Sequence, residues 1–238
     1  DNGSIVRLDA HVNRLERSWE TLFKTAAPDI TWEHVIRRLL AENRLESGTA
    51  AVKIILATED DLSLNRCFAA VFVRPYIHRL TMLDKTGLSL VRYPYPRTTP
   101  LADHKSLNYL YYQQAGRFAK AHNADEAVIF NPDRTVSETN TCSIIAVHGR
   151  EVIVPVSDHV LDGVTVKAAL QIMEQAGYTI RRKKMDWDSL ADGLTVILTN
   201  ALMGAVPVLD LEGVEIQQDL DLVNRLNKGL FASMERHG

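Results

Sequence analysis

The sequence has little cysteine, no long apolar run and no large excess of charge of either sign, and each shortage excludes a class of protein. Its two cysteines, Cys67 and Cys142, lie far apart and outside any CxxC spacing, so neither a disulfide framework nor a zinc site is expected. No apolar stretch approaches the roughly 18 to 20 residues of a membrane span, and no charged-then-apolar segment opens the chain. A formal net charge of -3 gives no reason to expect binding to nucleic acid or to an anionic membrane. We therefore expect a cytoplasmic protein with reduced thiols, no nucleic-acid partner and no membrane contact.

Established catalytic motifs are also missing. The chain has no GxSxG elbow, no GxGxxG turn, no Walker A loop and no HExxH pair. Its eight histidines are scattered, and a lone histidine is more often a structural residue than a ligand. We predict no metal site, and a serine hydrolase or a metalloenzyme would have to be assembled from distant residues.

Hydrophobic periodicity predicts an α+β protein of two lobes with a cleft between them. Residues 1–96 form a small domain in which two helices precede three strands. Residues 97–104 form a linker within and after the proline-rich "YPYPRTTP". Residues 105–238 form a larger domain whose strands include "VSETNTCSIIAVHG" and "EVIVPV".

The stretch "DHKSLNYLYYQQA" puts Lys105 directly before an apolar repeat typical of a helix. Apolar and aromatic side chains recur at helical spacing from Leu107 to Ala119, so we predict a helix that begins directly after the lysine. An ammonium group at the positive end of a helix dipole is destabilised, which favours the neutral, nucleophilic amine. Lys105 is therefore a candidate nucleophile, and an ordinary solvated lysine is the alternative.

Three further features could assist a nucleophilic lysine. Glu138 lies among β-forming residues in "TVSETNT", where an outward-facing carboxylate is the alternative. Val164 and Thr165 open a predicted helix, whose N-terminal N–H groups could bind an anion, although ordinary helix caps look the same. Asn200 and Ala201 lie in a turn after a strand. Together these features match an aldehyde cofactor that needs an imine-forming lysine, a phosphate site and an acid beside its ring nitrogen, as pyridoxal phosphate does.

The chain resembles the class IV (fold-type IV) pyridoxal-phosphate enzymes, which include branched-chain and D-amino-acid aminotransferases and 4-amino-4-deoxychorismate lyase. The similarity keeps the same order along almost the whole chain, through "LDAHVNRL", "HKSLNYL", "NADEAVIFNPDRTVSETNTCSI", "VLDGVT" and "LTNALMGAVPV". It implies a small α/β N-terminal lobe and a larger pseudo-barrel C-terminal lobe. It also implies pyridoxal 5'-phosphate as cofactor, a small-molecule amine or amino-acid substrate, and a homodimer.

The resemblance implies a role for each matching residue. Lys105 would form the Schiff base with the cofactor, and Glu138 would lie against the pyridine nitrogen. The residues implied at the phosphate are Arg14, Val164, Thr165, Asn200 and Ala201, the last two mostly through backbone N–H groups.

The sequence departs from the family pattern at several positions. Ser143 stands where the family commonly has an asparagine, so the nearby Asn140 and Thr141 are expected to take over contacts around the ring. Tyr109 resembles the tyrosine that touches the cofactor's phenolic oxygen, and a buried helix aromatic is the alternative. The family also has an N-terminal strand ahead of the opening turn, and in the lyases it carries a threonine implicated in proton transfer. We expect that this strand either precedes residue 1 or is missing from the active site.

Within the family, "NADEA" and above all "TNALMGAVPV" look more like the lyase, because branched-chain aminotransferases usually have a Gly-Thr-Ala-type turn with a glutamate where this chain has Asn200 to Met203. We therefore predict a folate-pathway lyase that converts 4-amino-4-deoxychorismate to 4-aminobenzoate and pyruvate. An aminotransferase for branched-chain or D-amino acids, and a cofactor-binding protein without turnover, are the alternatives. Arg92 and Arg97 are candidates for binding a substrate carboxylate, with solvated arginines as the alternative.

Overall fold

The computed structural model describes residues 3–58, 67–157, 159–192 and 194–231. They fall into two compact units, the first ending at Ile77 and the second beginning at His78. This division comes earlier in the chain than the predicted linker at 97–104. The reason is that Leu88–Arg92, which the sequence pattern assigns to the small domain, is a buried strand in the sheet of the second unit.

The described residues of the first unit form two helices and a two-stranded antiparallel sheet. Trp19 and Ile36 are buried on one face of each helix, as amphipathic spacing predicts. The predicted turn at Glu59–Ser63 lies outside the described residues. The elements of this unit are α1 (Leu8–Phe23), α2 (Trp32–Glu42), β1 (Ala50–Thr58) and β2 (Cys67–Pro75).

The second unit contains the remaining described elements. Most of them follow the predicted order, but the sequence pattern does not predict α3, and the strand predicted over "VSETNTCSIIAVHG" is broken into β5 and β6 at residues 140–142. The elements are α3 (Arg79–Leu83), β3 (Leu88–Arg92), α4 (Leu110–Ala121), β4 (Glu126–Phe130), β5 (Val136–Thr139), β6 (Ser143–His148), β7 (Glu151–Pro155), α5 (Val164–Gln175), β8 (Thr179–Lys183), α6 (Trp187–Ala191), β9 (Thr195–Asn200), β10 (Gly204–Leu211), β11 (Val214–Glu215) and α7 (Leu220–Phe231).

The described strands of the second unit form one mixed sheet, which is curled. Its order is β5-β4-β3-β10-β9-β6-β7-β8, with β11 added to β10. In a flat sheet β5 and β6 would be about 24 Å apart, because five strand spacings separate them. The chain from Thr139 to Ser143 can span only about 14 Å, so the sheet has to bend back on itself. In the turn between β5 and β6, the carbonyl oxygen of Cys142 accepts the Thr139 N–H at 2.8 Å.

Strands β6 and β9 are buried on both faces, and this decides where their side chains lie. Ile144 belongs to a core cluster shared with β3 and β10, whereas Ile145 and Ile197 belong to a second cluster shared with α5 and α7. Side chains alternate along a strand, so Ser143 and Thr199 are in phase with Ile145 and Ile197. Both therefore face the α5 side of the sheet.

Candidate active site

Glu138 on β5 is a buried carboxylate, 5% exposed. Its Oε1 lies 2.5 Å from Nη1 of Arg97 and accepts the hydroxyl of Tyr112 at 3.4 Å. Its Oε2 accepts the backbone N–H of Leu161 at 3.4 Å. Burial raises the pKa of Glu138, and the Arg97 charge opposes that rise. The alternative of an outward-facing strand carboxylate is therefore wrong.

Lys105 lies in the loop between β3 and α4, five positions before the helix. Since α4 begins at Leu110 with Tyr109 as its N-cap, the predicted helix start directly after Lys105 is wrong. A tight turn intervenes, because the N–H groups of Ser106 and Tyr109 bond to carbonyl oxygens two residues earlier, at 3.0 and 2.8 Å. Lys105 is exposed. The helix-dipole argument consequently does not apply to it.

Both flanks of the loop that carries Lys105 contact Glu138. Arg97 precedes the lysine and Tyr112 follows it, and Arg97 Nη1 donates to the Tyr112 hydroxyl at 2.5 Å. The loop is thus fastened to the buried carboxylate on either side of the lysine. The sequence pattern did not single out Tyr112, whose only signal is its place in the aromatic run of α4. Tyr109 is half-buried, and its contact with a cofactor oxygen stays a prediction.

The N-terminus of α5 has the features of an anion site. Gly163 is its N-cap and no side chain caps the helix, so first-turn N–H groups, including that of Thr165, are left to other acceptors. A Cβ placed on Gly163 would lie 2.9 Å from Ser143 Oγ, so only glycine keeps this space open. Thr199 is paired with Ser143 across β6 and β9, and its buried Oγ1 has no hydrogen-bond partner among the described residues. An orphaned buried hydroxyl beside an uncapped helix points to a missing acceptor.

The turn after β9 is organised by the side chain of Asn200. Its Oδ1 accepts the N–H groups of Leu202 at 2.9 Å and Met203 at 2.8 Å. Its Nδ2 lies 3.4 Å from the carbonyl oxygen of Thr141, and Ala201 is exposed in the turn. Gly163 at the start of α5 lies beside Ser143 on β6, and β6 pairs with β9, which ends at Asn200. The N-terminus of α5 and the turn after β9, both expected to bind a phosphate, are therefore associated with neighbouring strands.

The side chains of Asn140 and Thr141 form hydrogen bonds to residues of strand β4. Asn140 Oδ1 accepts the N–H of Ala127 at 2.7 Å, and the Thr141 hydroxyl donates to Glu126 at 2.7 Å. Glu126 is fully buried and also pairs with Arg79, so Thr141 completes a buried polar network. Contacts from the Asn140 and Thr141 side chains to a cofactor ring stay predictions.

The two arginines considered for a substrate carboxylate are both in ion pairs. Arg92 is exposed and pairs with Glu212 at 2.8 Å. Arg97 is 2% exposed and pairs with Glu138, so the solvated alternative holds for Arg92 and is wrong for Arg97. Arg14 is half-buried on α1 of the first unit, and its phosphate contact stays a prediction from resemblance.

The second unit therefore offers an exposed amine, a buried carboxylate and an anion cradle. Among the described residues, no group of three or more His, Cys, Asp or Glu side chains could hold a metal ion. None of the helices in the described ranges is long and apolar enough to cross a membrane. The uncapped helix N-terminus can hold a negatively charged group, and the buried carboxylate can keep a proton on a basic nitrogen. The exposed lysine can supply an amine as nucleophile or base.

Comparison with known proteins gives a consistent result. Residues 1–211 match the sequence model of the family described as amino-transferase class IV. A D-alanine aminotransferase from Staphylococcus epidermidis is 24% identical over 99% of this chain and 86% of that protein. A fold IV-transaminase structure from Curtobacterium pusillum has a TM-score of 0.84 at 25% identity, covering 97% of this chain and 81% of that one.

A structure of a putative 4-amino-4-deoxychorismate lyase from Legionella pneumophila gives a TM-score of 0.86 at 22% identity, over 96% of this chain and 88% of that one. At this identity the likeness concerns the fold. Together with the transaminase structure it confirms the predicted fold-type IV class.

Proposed function

The chain belongs to the amino-transferase class IV family of pyridoxal-phosphate enzymes, and from that premise we propose that it is a lyase converting 4-amino-4-deoxychorismate to 4-aminobenzoate and pyruvate in the folate pathway. The observation that carries the proposal is the turn after β9. There Asn200 organises an Asn-Ala-Leu-Met sequence through bonds to Leu202 and Met203, in place of the Gly-Thr-Ala-type turn usual in branched-chain aminotransferases.

The residues present fit pyridoxal phosphate. The uncapped N-terminus of α5, the orphaned Thr199 hydroxyl and the turn at Ala201 would hold the phosphate. Glu138 would accept the ring N–H, and the ε-amine of Lys105 would hold the aldehyde carbon. When bound, the cofactor supplies a protonated ring that withdraws electrons from the substrate carbon bearing the amine.

Lys105 serves as the base of the proposed reaction. With the substrate bound, its ε-amine would take the proton from the carbon that carries the substrate's amino group. An ionised Glu138 would accept the ring N–H and so keep the proton on the ring nitrogen. Loss of the carbon-bound proton breaks the C–O bond to the enolpyruvyl group and makes the carbocycle aromatic. The departing enol takes up a proton and becomes pyruvate, so the atoms of 4-amino-4-deoxychorismate are fully divided between pyruvate and 4-aminobenzoate.

An aminotransferase is the second candidate, because the Staphylococcus epidermidis D-alanine aminotransferase matches nearly the whole chain. In that reaction Lys105 would return the proton to a different carbon, and the amino group would pass to a 2-oxo acid. Lys105 and Glu138 do the same work in both reactions. The homodimer implied by the resemblance is common to both as well.

The test uses the full chain loaded with pyridoxal phosphate. Pyruvate and 4-aminobenzoate are measured from 4-amino-4-deoxychorismate without any 2-oxo acid, and amino transfer is measured from D-alanine and from leucine with 2-oxoglutarate. Equimolar release of both products without an acceptor supports the lyase. Turnover that requires the acceptor replaces it with the aminotransferase, and cofactor binding without either reaction identifies a non-catalytic member.

A matched pair of lysine variants completes this experiment. Lys105→Ala is expected to abolish turnover, whereas Lys120→Ala, which removes an exposed lysine near the end of α4, should keep the wild-type rate. Turnover in Lys105→Ala at the wild-type rate would overturn the assignment of the base.

A further inference from the structure

Arg97 reaches Glu138 from a fixed position. Its backbone N–H donates to the carbonyl oxygen of Phe130 at 3.0 Å, which ties the loop to the end of β4. Its Nη2 donates to Ser137 Oγ at 3.1 Å while Nη1 pairs with Glu138. Both charged side chains are almost fully buried, at 2% and 5% exposure. The guanidinium is therefore fixed by bonds to two residues of β5, in a position shielded from solvent.

The two oxygens of the Glu138 carboxylate have different surroundings. Oε1 takes the short bond from Arg97 and a longer one from the Tyr112 hydroxyl. Oε2 has the backbone N–H of Leu161 at 3.4 Å, which is beyond the usual range for an N–H donor. Oε2 can therefore accept a hydrogen bond from a further donor, whereas Oε1 is already bonded to Arg97.

A carboxylate buried this deeply needs a paired cation to stay ionised. Burial raises the pKa of Glu138, and the Arg97 charge is the largest influence that lowers it. Burial and the Glu138 charge raise the pKa of Tyr112 to about 12, so this hydroxyl remains a donor at neutral pH. Tyr111 also interacts electrostatically with Arg97 and Glu138, and burial raises the pKa of Tyr111 too. Arg97 is thus the cation that faces Glu138 from the loop, with neutral tyrosines from α4.

We propose that Arg97 is the positioning residue for the ring-nitrogen contact: it fixes Oε1 of Glu138 and keeps the carboxylate charged, so that Oε2 is presented to the cofactor N–H. The role rests on the proposed function and deepens it. Arg97 acts through Glu138, which removes it from the candidates for binding a substrate carboxylate.

The first test measures thermal unfolding of the chain without cofactor at pH 5 and pH 8. Arg97→Met leaves Glu138 without its cation, so the folded state keeps a proton that the unfolded state releases, and stability falls as pH rises above the ordinary carboxyl range. The unfolding midpoint should drop by on the order of 10 °C at pH 8 and by clearly less at pH 5. Arg92→Met, the same change at the exposed pair with Glu212, should show a small loss at both pH values.

Two further variants separate a charge effect from a packing effect. Adding Glu138→Gln to Arg97→Met removes the titrating group. The loss in unfolding midpoint relative to the wild type should then no longer be larger at pH 8 than at pH 5. Arg97→Lys keeps the charge without the planar fork and should recover much of the midpoint at pH 8. An Arg97→Met loss that is equal at both pH values and is not altered by Glu138→Gln would overturn the proposal.

A spectroscopic readout distinguishes failure of this role from failure of the proposed function. With pyridoxal phosphate added, Arg97→Met should shift the pH profile of the visible absorbance band, whereas Arg92→Met should match the wild type. A wild-type chain that binds no cofactor would refute the proposed function, and the positioning role with it, while the pH-dependent unfolding still decides whether Arg97 keeps Glu138 charged. A wild-type chain that binds, with the two variants showing the same profile, would overturn the positioning role alone.

Discussion

Ser143 on β6 lies directly opposite Thr199 on β9, and both side chains face the α5 side of the sheet. A Cβ placed on Gly163, at the start of α5, would lie 2.9 Å from the Ser143 hydroxyl oxygen. The buried Thr199 hydroxyl has no partner among the described residues. Two hydroxyl groups and an uncapped helix N-terminus thus converge, which is the arrangement that a bound phosphate favours.

Gly163→Ala should weaken the binding of pyridoxal phosphate about tenfold, a cost of about 1.4 kcal/mol. The added Cβ would lie 2.9 Å from Ser143 Oγ and 3.0 Å from Val166 Cγ1, so α5 would have to move away from β6. Titration by visible absorbance measures the dissociation constant. Ser143→Ala in the same chain removes the nearer contact and should restore part of the affinity. An unchanged dissociation constant in Gly163→Ala would refute a phosphate site at this helix.

Two substitutions of Asn200 should separate holding the turn from binding the phosphate. Asn200→Ala loses the acceptor for Leu202 and Met203, so the unfolding midpoint should fall by about 2 to 6 °C. Asn200→Asp keeps that acceptor but loses the Nδ2 donor beside the Thr141 carbonyl oxygen, so its unfolding midpoint should fall by less than that of Asn200→Ala. Its carboxylate would repel a neighbouring phosphate, so cofactor affinity should fall at least about tenfold. Full affinity in Asn200→Asp would place the phosphate elsewhere.

Asp125 should give a pH-dependent contribution to folding that does not involve the cofactor. Burial raises the pKa of Asp125, but hydrogen bonds from Lys85 and Ser89 outweigh it and hold the pKa below its usual value. A carboxylate with a lowered pKa adds stability above its unfolded pKa and loses that contribution as pH falls through the folded value. Asp125→Asn should therefore be less stable than the wild type by about 1 to 2 kcal/mol at pH 7, and the difference should narrow below about pH 4.

Denaturant unfolding at pH 7 and pH 3 measures this contribution. Glu174→Gln, an exposed change on α5, serves as the control and should show little difference at either pH. A loss in Asp125→Asn that is the same at pH 7 and pH 3 would contradict the lowered pKa.

The sequence pattern was accurate where one apolar face decides the structure and failed where a polar turn does. On α4, Ala115 and Ala119 are buried as their spacing predicts. Leu107 and Leu110 fit the same spacing, yet they are 54% and 64% exposed. Leu107 lies in a turn before the helix, and Leu110 is the first residue of the helix. The break between β5 and β6 follows from the curl of the sheet, and strand propensity carries no information about that curl.

The surroundings of the candidate site depended on tertiary contacts that no local pattern encodes. Resemblance pointed to Glu138, but its partner Arg97 lies 41 residues earlier, in a proline-rich stretch that is typical of a solvated linker. Tyr112 likewise reads as one more helix aromatic. Only the path of the loop before α4 makes these two residues neighbours of the carboxylate.

The most direct measurement of the central claim identifies the lysine that holds the cofactor. The chain is incubated with pyridoxal phosphate, reduced with borohydride to fix the cofactor covalently, digested, and analysed by mass spectrometry. Lys105 should carry the added mass at close to one cofactor per chain, and Lys105→Ala should carry none. Modification of a different lysine, or no modification of the wild-type chain, would contradict the assignment of Lys105 as the catalytic lysine.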